Sequence, residues 1–350
     1  MGAQDPSAGP GVRSAVSVVI PTCANAVELE RTLASIFATR YEPLEVVVVE
    51  NRPPAPVTRR VVEDRFSSHH VRYEEERRHG ASWARNTGLA VSEGEIVAFT
   101  DDDVVVDQGW IESAVGVFAR SSDVACVTGR ILPLSVDTEP RRLFDDFSVF
   151  DKGSERRVFR LPETRIEEPL FPYTAGHVGS GANILLRREV AVGIGGFDPV
   201  LGTPTVGGED LDLFIRLVRE GFTIAYEPEV IVRHDHPDSL KDLRRHAYRY
   251  GMGLTAMLSK HLLRGPERLQ ILGAIPAGVG YLLDPNSRKN SQKTSSYPRS
   301  LDLLEYLGML FGPVAYGASL VGLSRVRHGR RGAGPRVPKP GSPEPRPRQH

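Results

Sequence analysis

Apolar residues in this chain follow two rhythms that alternate along its first half. "AVSVVIPT" (Ala15 to Thr22) is a short Val- and Ile-rich run stopped by Pro21. Such runs, bounded by a breaker, predict buried strands. Leu29, Leu33, Ile36 and Phe37 then recur at three- and four-residue spacing, so they share one helical face. Asn25 and Glu28 stand three apart at the start of that helix and predict a capping box. "LEVVVVEN" (Leu44 to Asn51) is a second strand and "VRYEE" a third. "GASWARNTGLAVSEG" is a helix ending at Gly94, "EIVAFT" the next strand and "QGWIESAVGVFARS" the next helix. Strands alternating with helices predict an α/β fold with a parallel sheet covered on both faces.

The second half changes character. "DVACVTGRILPL" predicts a strand, followed by an irregular stretch to about Val178. "SGANILLRRE" predicts a strand, and "GGEDLDLFIRLVREG" a helix with Leu211, Phe214, Ile215 and Val218 as its apolar stripe. "TIAYEPEVIVRHDH" is strand-like, interrupted by Pro228, and ends in two histidines. These mixed elements suit an acceptor-binding half built onto the same sheet.

In open α/β sheets, ligands sit beyond the carboxyl ends of the strands. That rule gives the acids meaning. Asp101, Asp102 and Asp103 follow one strand, and Glu50 closes another. Three like charges beside a core are costly unless something positive meets them. In extended chain Asp101 and Asp103 would share a face, with Asp102 opposed. Two hard oxygen ligands suit Mg²⁺ or Mn²⁺; the competing reading is a solvated acidic turn. Glu209, Asp210 and Asp212 open the later helix. They read either as a general base aimed into the crevice or as first-turn acids favoured by the helix dipole. Asp212 is the best candidate for the second role. A histidine in "VIVRHDHPD" could complete a metal shell or simply pack.

Composition narrows the classes. The chain has 350 residues, 44 basic and 44 acidic, so its formal charge is zero and offers no electrostatic signature of nucleic-acid binding. Two cysteines, Cys23 and Cys126, build no disulfide scaffold and suit a reducing compartment. "MGAQDPSAGPGVRSA" lacks an apolar core and reads as a disordered lead, not a secretory signal. "GRRGAGPRVPKPGSPEPRPRQH" reads as a disordered tail. Trp83 and Trp110 read as packing residues.

Four stretches in order, "SVVIPTCANAVELERTLASI", "GASWARNTGLAVSEGEIVAFTDDD", "GSGANILLRREVAVGIGGFD" and "GGEDLDLFIRLVREGF", resemble the family 2 glycosyltransferases, from about Val16 to His236. The resemblance implies the GT-A fold, a Rossmann-like and mostly parallel sheet flanked by helices. It also implies inverting transfer of a sugar from a nucleotide-diphosphate sugar, with Mg²⁺ or Mn²⁺ as cofactor. By that resemblance Pro21 and Thr22 line the nucleotide pocket. Glu50 takes the place of an Asp that reads the base, with a longer arm. Arg85 approaches the base or diphosphate. Asp101 and Asp102 border the ribose and sugar, and Asp103 holds the metal. Asp210 is the base, with Glu209 as fallback. His234 is the second metal ligand, with His236 as its rival. No Gln-x-x-Arg-Trp stretch follows the helix, which favours adding one or few sugars per encounter.

Two other classes compete. A sugar-phosphate nucleotidyltransferase would want a Gly-rich basic loop after the first strand, where this chain has "PTCANAVELE". A non-catalytic sugar-nucleotide-binding module would not require Asp103 and Asp210. The expected organisation is a lead over 1–14 and a GT-A domain over 15–238, split into a nucleotide-sugar half (15–134) and an acceptor half (135–238). A helical region over 239–328 and a tail over 329–350 follow. Leu303 to Leu323 is long and apolar enough to reach across a bilayer, with arginines after it. Membrane contact there competes with a pair of core-packed helices. The expected partners are the nucleotide-sugar donor and a glycan, lipid-linked or small-molecule acceptor. The expected location is the cytoplasm or the cytoplasmic face of a membrane.

Overall fold

The computed structural model describes residues 13–329 except 52–56, 169, 204–206, 267, 292 and 295–296. The predicted lead up to residue 12 and the tail from residue 330 lie outside the described residues, as do the side chains of the basic cluster from Arg325 onward. The first half runs β1 (Val16–Thr22), α1 (Ala26–Ala38), β2 (Leu44–Asn51), α2 (Val57–Arg65), β3 (Val71–Glu76), α3 (Ala81–Val91), β4 (Ile96–Phe99), β5 (Val104–Val106) and α4 (Trp110–Arg120). Then come β6 (Val124–Pro133), α5 (Glu139–Ser148), β7 (Arg157–Phe159), α6 (Glu163–Glu167), β8 (Ile184–Arg187), α7 (Arg188–Gly193), α8 (Glu209–Arg219) and β9 (Thr223–His234). Three helices follow: α9 (Leu240–Arg264), α10 (Arg268–Leu283) and α11 (Arg299–Gly329).

The strands form one sheet in the order β3-β2-β1-β4-β8-β6-β9-β5, with β7 also on β9. β3, β2, β1 and β4 are parallel. β8 runs against both β4 and β6, so the sheet is mixed and mostly parallel, as expected for the GT-A fold. Side chains alternate across the sheet as strand geometry requires. Val18, Ile20, Val46 and Val48 join Leu29, Leu33 and Ile36 of α1 in one core. Val19, Val47, Val49, Val97 and Phe99 join Ala84 and Leu89 of α3 in the other. The carboxyl ends of β1, β2 and β4 therefore open on one edge, rigidly backed from both faces.

Local expectations fail where side chains find distant partners. Asn25 occupies the N-cap of α1 but makes no capping bond; its side chain hydrogen-bonds Asp102. α3 stops at Val91, three residues before Gly94, capped by Ser92 in an extended conformation. The stretch predicted to be irregular contains α5, β7 and α6. α5 is a proper amphipathic helix, capped by Thr138 and burying Leu143, Phe144 and Phe147. Pro228 does not end its strand. The pairing of β9 with β6 shifts there, from Glu227 opposite Gly129 to Ile231 opposite Arg130, so a bulge takes up the residue that cannot donate.

α11 lies along α9 at very close range. A Cβ at Gly308 would come within 2.0 Å of the Tyr248 carbonyl oxygen, so only glycine permits this approach. Leu301, Glu305 and Tyr316 are buried, while Leu303, Leu310 and Val314 on the same helix are 68%, 75% and 68% exposed. The helix over 299–323 is long and apolar enough to cross a membrane by length and composition, and 17% of that segment is buried. α11 thus combines the two sequence readings: one stripe packs against the domain and the other face stays apolar and open.

Candidate functional site

The triple aspartate leaves β4 and turns into β5, and its backbone is pinned from below. Thr32 of α1 donates to the carbonyls of Asp102 (2.8 Å) and Val104 (2.6 Å). Asp102 turns inward, 8% exposed, and accepts from Thr22 Oγ1 at 2.6 Å. Burial lifts its pKa to about 7, Asp103 and Asp101 add to the rise, and the Thr22 and Asn25 bonds oppose it. Asp101 and Asp103 turn the other way. Register then brings in histidine: β5 runs against β9 with Val104 opposite His234, and the Asp235 amide donates to the Asp103 carbonyl at 3.0 Å.

His234 Nε2 consequently sits 3.5 Å from Asp103 Oδ1. One ligand atom each from Asp101, Asp103 and His234 lie within 4.8 Å of one another. Asp103 Oδ1 and His234 Nδ1 are buried without a hydrogen-bond partner. Burial, with Asp101 and Asp235 nearby, raises the Asp103 pKa, and His234 opposes this. Two carboxylates and one imidazole, with an orphaned buried oxygen among them, fit a borderline-hard divalent ion such as Mn²⁺. His236 lies nearby, 5.7 Å from His234 between ring centroids and with both ring nitrogens buried without a hydrogen-bond partner, but outside that cluster. It is 3% exposed and packs on Phe144 at 4.6 Å between ring centroids. Burial, then the His234 charge, lowers its pKa to about 4.

Arg85 organises the centre. It rises from α3, 4% exposed, and its two terminal nitrogens reach Glu209 (2.7 Å) and Asp101 (2.9 Å). Against the cost of burial, Asp101, Glu209 and Asp210 hold the guanidinium charged. Glu209 is thereby occupied; burial raises its pKa and Arg85 opposes the rise. Asp210 accepts from the Gly181 amide at 2.9 Å through Oδ2 and from the Leu211 amide at 2.8 Å through Oδ1. Gly208, at φ 89°, lets the chain enter α8 where a Cβ would meet the Gly253 carbonyl at 2.7 Å.

Pro21 and Thr22 stand at the carboxyl end of β1, as the sequence places them. Glu50 is fully buried at the end of β2. Its oxygens accept from the Ala24 amide at 3.0 Å and from Thr58 Oγ1. It ties the β1–α1 turn to α2, so a nucleotide base would meet a carboxylate already engaged twice.

Asp212 corrects the sequence reading of a first-turn cap. It is fully buried and bonded to Lys260 (2.5 Å), Arg216 (2.8 Å) and His261 (3.0 Å). It fixes α8 to α9. Sequence reasoning also missed Lys152 and Tyr250. Burial raises the Tyr250 pKa, as do the charges of Asp210, Asp101 and Asp103. The Asp210 charge also bears on Lys152. Both come from segments with no motif, and only the tertiary fold brings them to the site. Trp110 is fully buried, its indole donating to Asn183 at 2.9 Å, and Trp83 stacks under Arg78 at 3.7 Å.

Residues 13–253 match the model of the family described as "Glycosyltransferase like family 2". The chain is 33% identical over 290 residues to the pre-mycofactocin glycosyltransferase of Mycobacterium tuberculosis, covering 79% of this chain and 56% of that protein. It thus spans little more than half the length of that relative. It is 28% identical over 229 residues to the glucosyl-dolichyl phosphate glucuronosyltransferase of Haloferax volcanii, covering 63% of this chain and 68% of that one. Among solved structures, the mannosyltransferase PcManGT of Pyrobaculum calidifontis, in complex with GDP-Man and Mn²⁺, shares the fold. Its TM-score is 0.50 at 19% identity, over 90% of this chain and 76% of that one. Fold and family model converge: this chain belongs to glycosyltransferase family 2, with the GT-A architecture.

Proposed function

We propose that this chain transfers a glycosyl group, with inversion, from a nucleotide-diphosphate sugar to an acceptor hydroxyl. One observation carries the reading: Arg85 joins the Asp101–Asp103–His234 cluster to the start of α8, where Asp210 is held by two backbone amides. Asp101, Asp103 and His234 would hold Mg²⁺ or Mn²⁺. When bound, such an ion neutralises charge developing on the departing diphosphate.

The residues of the chain supply the rest. Thr22 and Asp102 border the donor beside β1, and Pro21 and Glu50 shape the nucleotide end of the pocket. Asp210 accepts the proton of the acceptor hydroxyl. The acceptor oxygen bonds to the anomeric carbon as the bond to the diphosphate oxygen breaks, and the electron pair leaves with the diphosphate. Attack opposite the leaving group inverts configuration, and no side-chain nucleophile is needed. Arg85 engages Glu209 directly, while Asp210 has no ion-pair partner among the described residues, which favours Asp210 as the base.

The exposed apolar faces of α10 and α11 support contact with the cytoplasmic face of a membrane through 303–323. The acceptor is then a glycan, small molecule or lipid-linked compound delivered at that surface. The test is a thermal-shift panel of UDP-, GDP- and dTDP-sugars, each with and without Mn²⁺. A ligand that binds only the folded state raises its melting temperature. One nucleotide class should stabilise the protein in a Mn²⁺-dependent way, and Asp103→Ala should abolish that dependence. A folded protein that no donor shifts, with or without metal, would overturn the reading.

A further inference from the structure

Beside the base lies a second built feature that the transfer chemistry above does not use. A pocket of about 270 Å³ is lined by Phe150, Asp151, Lys152 and Arg288, with Asp145 on its wall. It adjoins the metal cluster through Phe150, whose ring is 5.8 Å from that of His234 and 6.3 Å from that of Tyr250.

The cations of this pocket are notable for what they lack. Asp151 is taken by Arg130 in a two-bonded pair at 3.0 and 2.6 Å. Lys289 is taken by Glu305 at 2.7 Å. Lys152 donates only to the Val149 carbonyl, and Arg288 to the Lys152 carbonyl at 2.7 Å. Among the described residues neither Lys152 nor Arg288 forms an ion pair. Burial, then the adjacent Arg288 charge, presses the Lys152 pKa down to about 7. Asp151 and Asp210 oppose that lowering without overcoming it, so two adjacent cations with no direct ion pair would both be favoured by an arriving anion. Asp145, on the pocket wall, makes no ion pair with either cation among the described residues, and burial, with Asp146 and Asp151 beside it, raises its pKa.

Arg288 is also placed deliberately. It sits in a turn after α10 closed by bonds of Ser287 and Asn286 to Asp284, and of Asn290 to the Leu282 and Asp284 carbonyls. α10 itself buries only Ile271. Leu272, Ile275, Val279 and Leu283 stand 49%, 50%, 49% and 65% exposed. Their three- and four-residue spacing makes one stripe, which ends where the Arg288 turn begins. Sixteen residues of helix give that stripe a length of roughly 24 Å.

We propose that the acceptor is an amphiphile: a phosphate group beside the attacked hydroxyl is read by Lys152 and Arg288, and its hydrocarbon lies along the α10 stripe. This rests on the proposed glycosyl transfer, because it names the acceptor class of that same site. Lys152 and Arg288 are specificity residues for the acceptor, and Asp210 remains the base.

The test uses the full chain and three probes below their aggregation limits: dodecyl phosphate, methyl phosphate and dodecanol. Dissociation constants are measured for the wild type and for Lys152→Gln, Lys152→Arg, Arg288→Ala and Ile275→Glu. Dodecyl phosphate should bind at least tenfold more tightly than methyl phosphate or dodecanol. Lys152→Gln and Arg288→Ala should each weaken both phosphates at least tenfold, while Lys152→Arg retains binding, which separates lost charge from lost fold. Ile275→Glu, at an exposed position, should erase the advantage of dodecyl over methyl phosphate and leave methyl phosphate alone. Equal affinity for the two phosphates would assign the pocket to a water-soluble phosphorylated acceptor and overturn the lipid half. No phosphate binding, or binding indifferent to Lys152→Gln and Arg288→Ala, would overturn the whole inference. Donor and Mn²⁺ binding by the same preparation separates the failures: donors bound without alkyl phosphates sink only the acceptor class, and neither bound sinks the transferase reading too.

Discussion

The two walls of the crevice are built on opposite principles. On the donor side, from β1 to β4, nearly every charge has a protein partner: Glu50 with Ala24 and Thr58, Asp102 with Thr22, Arg85 with Asp101 and Glu209. On the proposed acceptor side, Lys152 and Arg288 form no ion pair among the described residues, although Asp145 and Asp151 line the same pocket, and α10 carries an open apolar stripe. A preorganised wall suits a ligand whose diphosphate and sugar are always placed the same way, since fixed dipoles cost no reorganisation as charge moves. An incompletely satisfied wall waits for the ligand to complete it. The difference predicts that mutations on the donor side and at α8 act on catalysis and folding, while those on the acceptor side act on recognition.

The sharpest break in that comparison comes at Asp210. Asp210→Asn keeps the shape of the side chain and one of its two backbone bonds, because the new amide nitrogen cannot accept, and it removes the proton acceptor. Loss of a general base costs roughly 10²- to 10⁴-fold. Transfer should fall by that amount while the donor-induced thermal shift persists. Glu209→Gln, by contrast, should damage donor binding as well, because it releases Arg85 from one of its two partners.

Asp212 is two residues away and should behave in the opposite way. Its carboxylate is fully buried among Lys260, Arg216 and His261, and those three hold its pKa below the usual carboxylate range against the cost of burial. Breaking a buried ion network by removing one partner costs about 3–5 kcal/mol. Asp212→Asn should therefore lower the melting temperature by roughly 10 °C, given about 2–4 °C per kcal/mol in a domain of this class. A depressed folded-state pKa gives stability that is complete above the unfolded value near 3.9 and is lost as pH falls below it. The gap between wild type and Asp212→Asn, read by denaturant titration, should narrow as pH drops through that window. A constant gap would show that packing alone sets the cost.

These neighbours also show how far the sequence could be read. Apolar runs and helical stripes place β1 to β4, α1, α3, α4, α8 and β9 within a few residues, because each buries a periodic face that local spacing records. The alternation of Asp101, Asp102 and Asp103 across the chain is likewise local, and so is the end of β9. What spacing cannot carry is side-chain destination. Asn25 looks like a cap but serves Asp102, and Asp212 looks like a first-turn acid but ties two helices together. Lys152 and Arg288 are 136 residues apart and meet only because the turn after α10 packs beside the segment that follows α5. No motif announces such a pair.

His234 and His236 test the register argument by direct comparison. His234 lies opposite Val104 and reaches Asp103, whereas His236 lies between Phe144 and Phe150. His234→Ala should weaken Mn²⁺ binding by roughly tenfold or more, since even outer-sphere partners of metal ligands are worth 10–100-fold, and leave the melting temperature nearly unchanged. His236→Ala should leave Mn²⁺ affinity close to wild type and cost about 2 kcal/mol or more from the cavity it opens. The reverse pattern in calorimetric titration would exchange the two assignments.

The smallest expected effect concerns acid stability at α9. His246, on α9, packs edge-on to Phe144 at 5.6 Å between ring centroids. Its pKa is lowered to about 4 by burial first, then by Arg249, His234 and Arg245, with Asp242 opposing. A buried histidine kept neutral works against folding under acid: between pH 6.5 and about 4 the unfolded chain binds the proton and the folded chain does not. Stability from this group is therefore whole above pH 6.5 and declines as pH falls towards 4. Other groups titrate in the same window, and Asp102, with its raised pKa, works in the opposite sense. The informative quantity is thus the difference between wild type and His246→Gln across pH, not either curve alone. That difference should grow in favour of the glutamine variant as pH falls from 6.5 to 4, and should stop growing below. A difference independent of pH would place the His246 ring in contact with water in the folded protein, and would loosen the seam between α5 and α9 on which the acceptor wall rests.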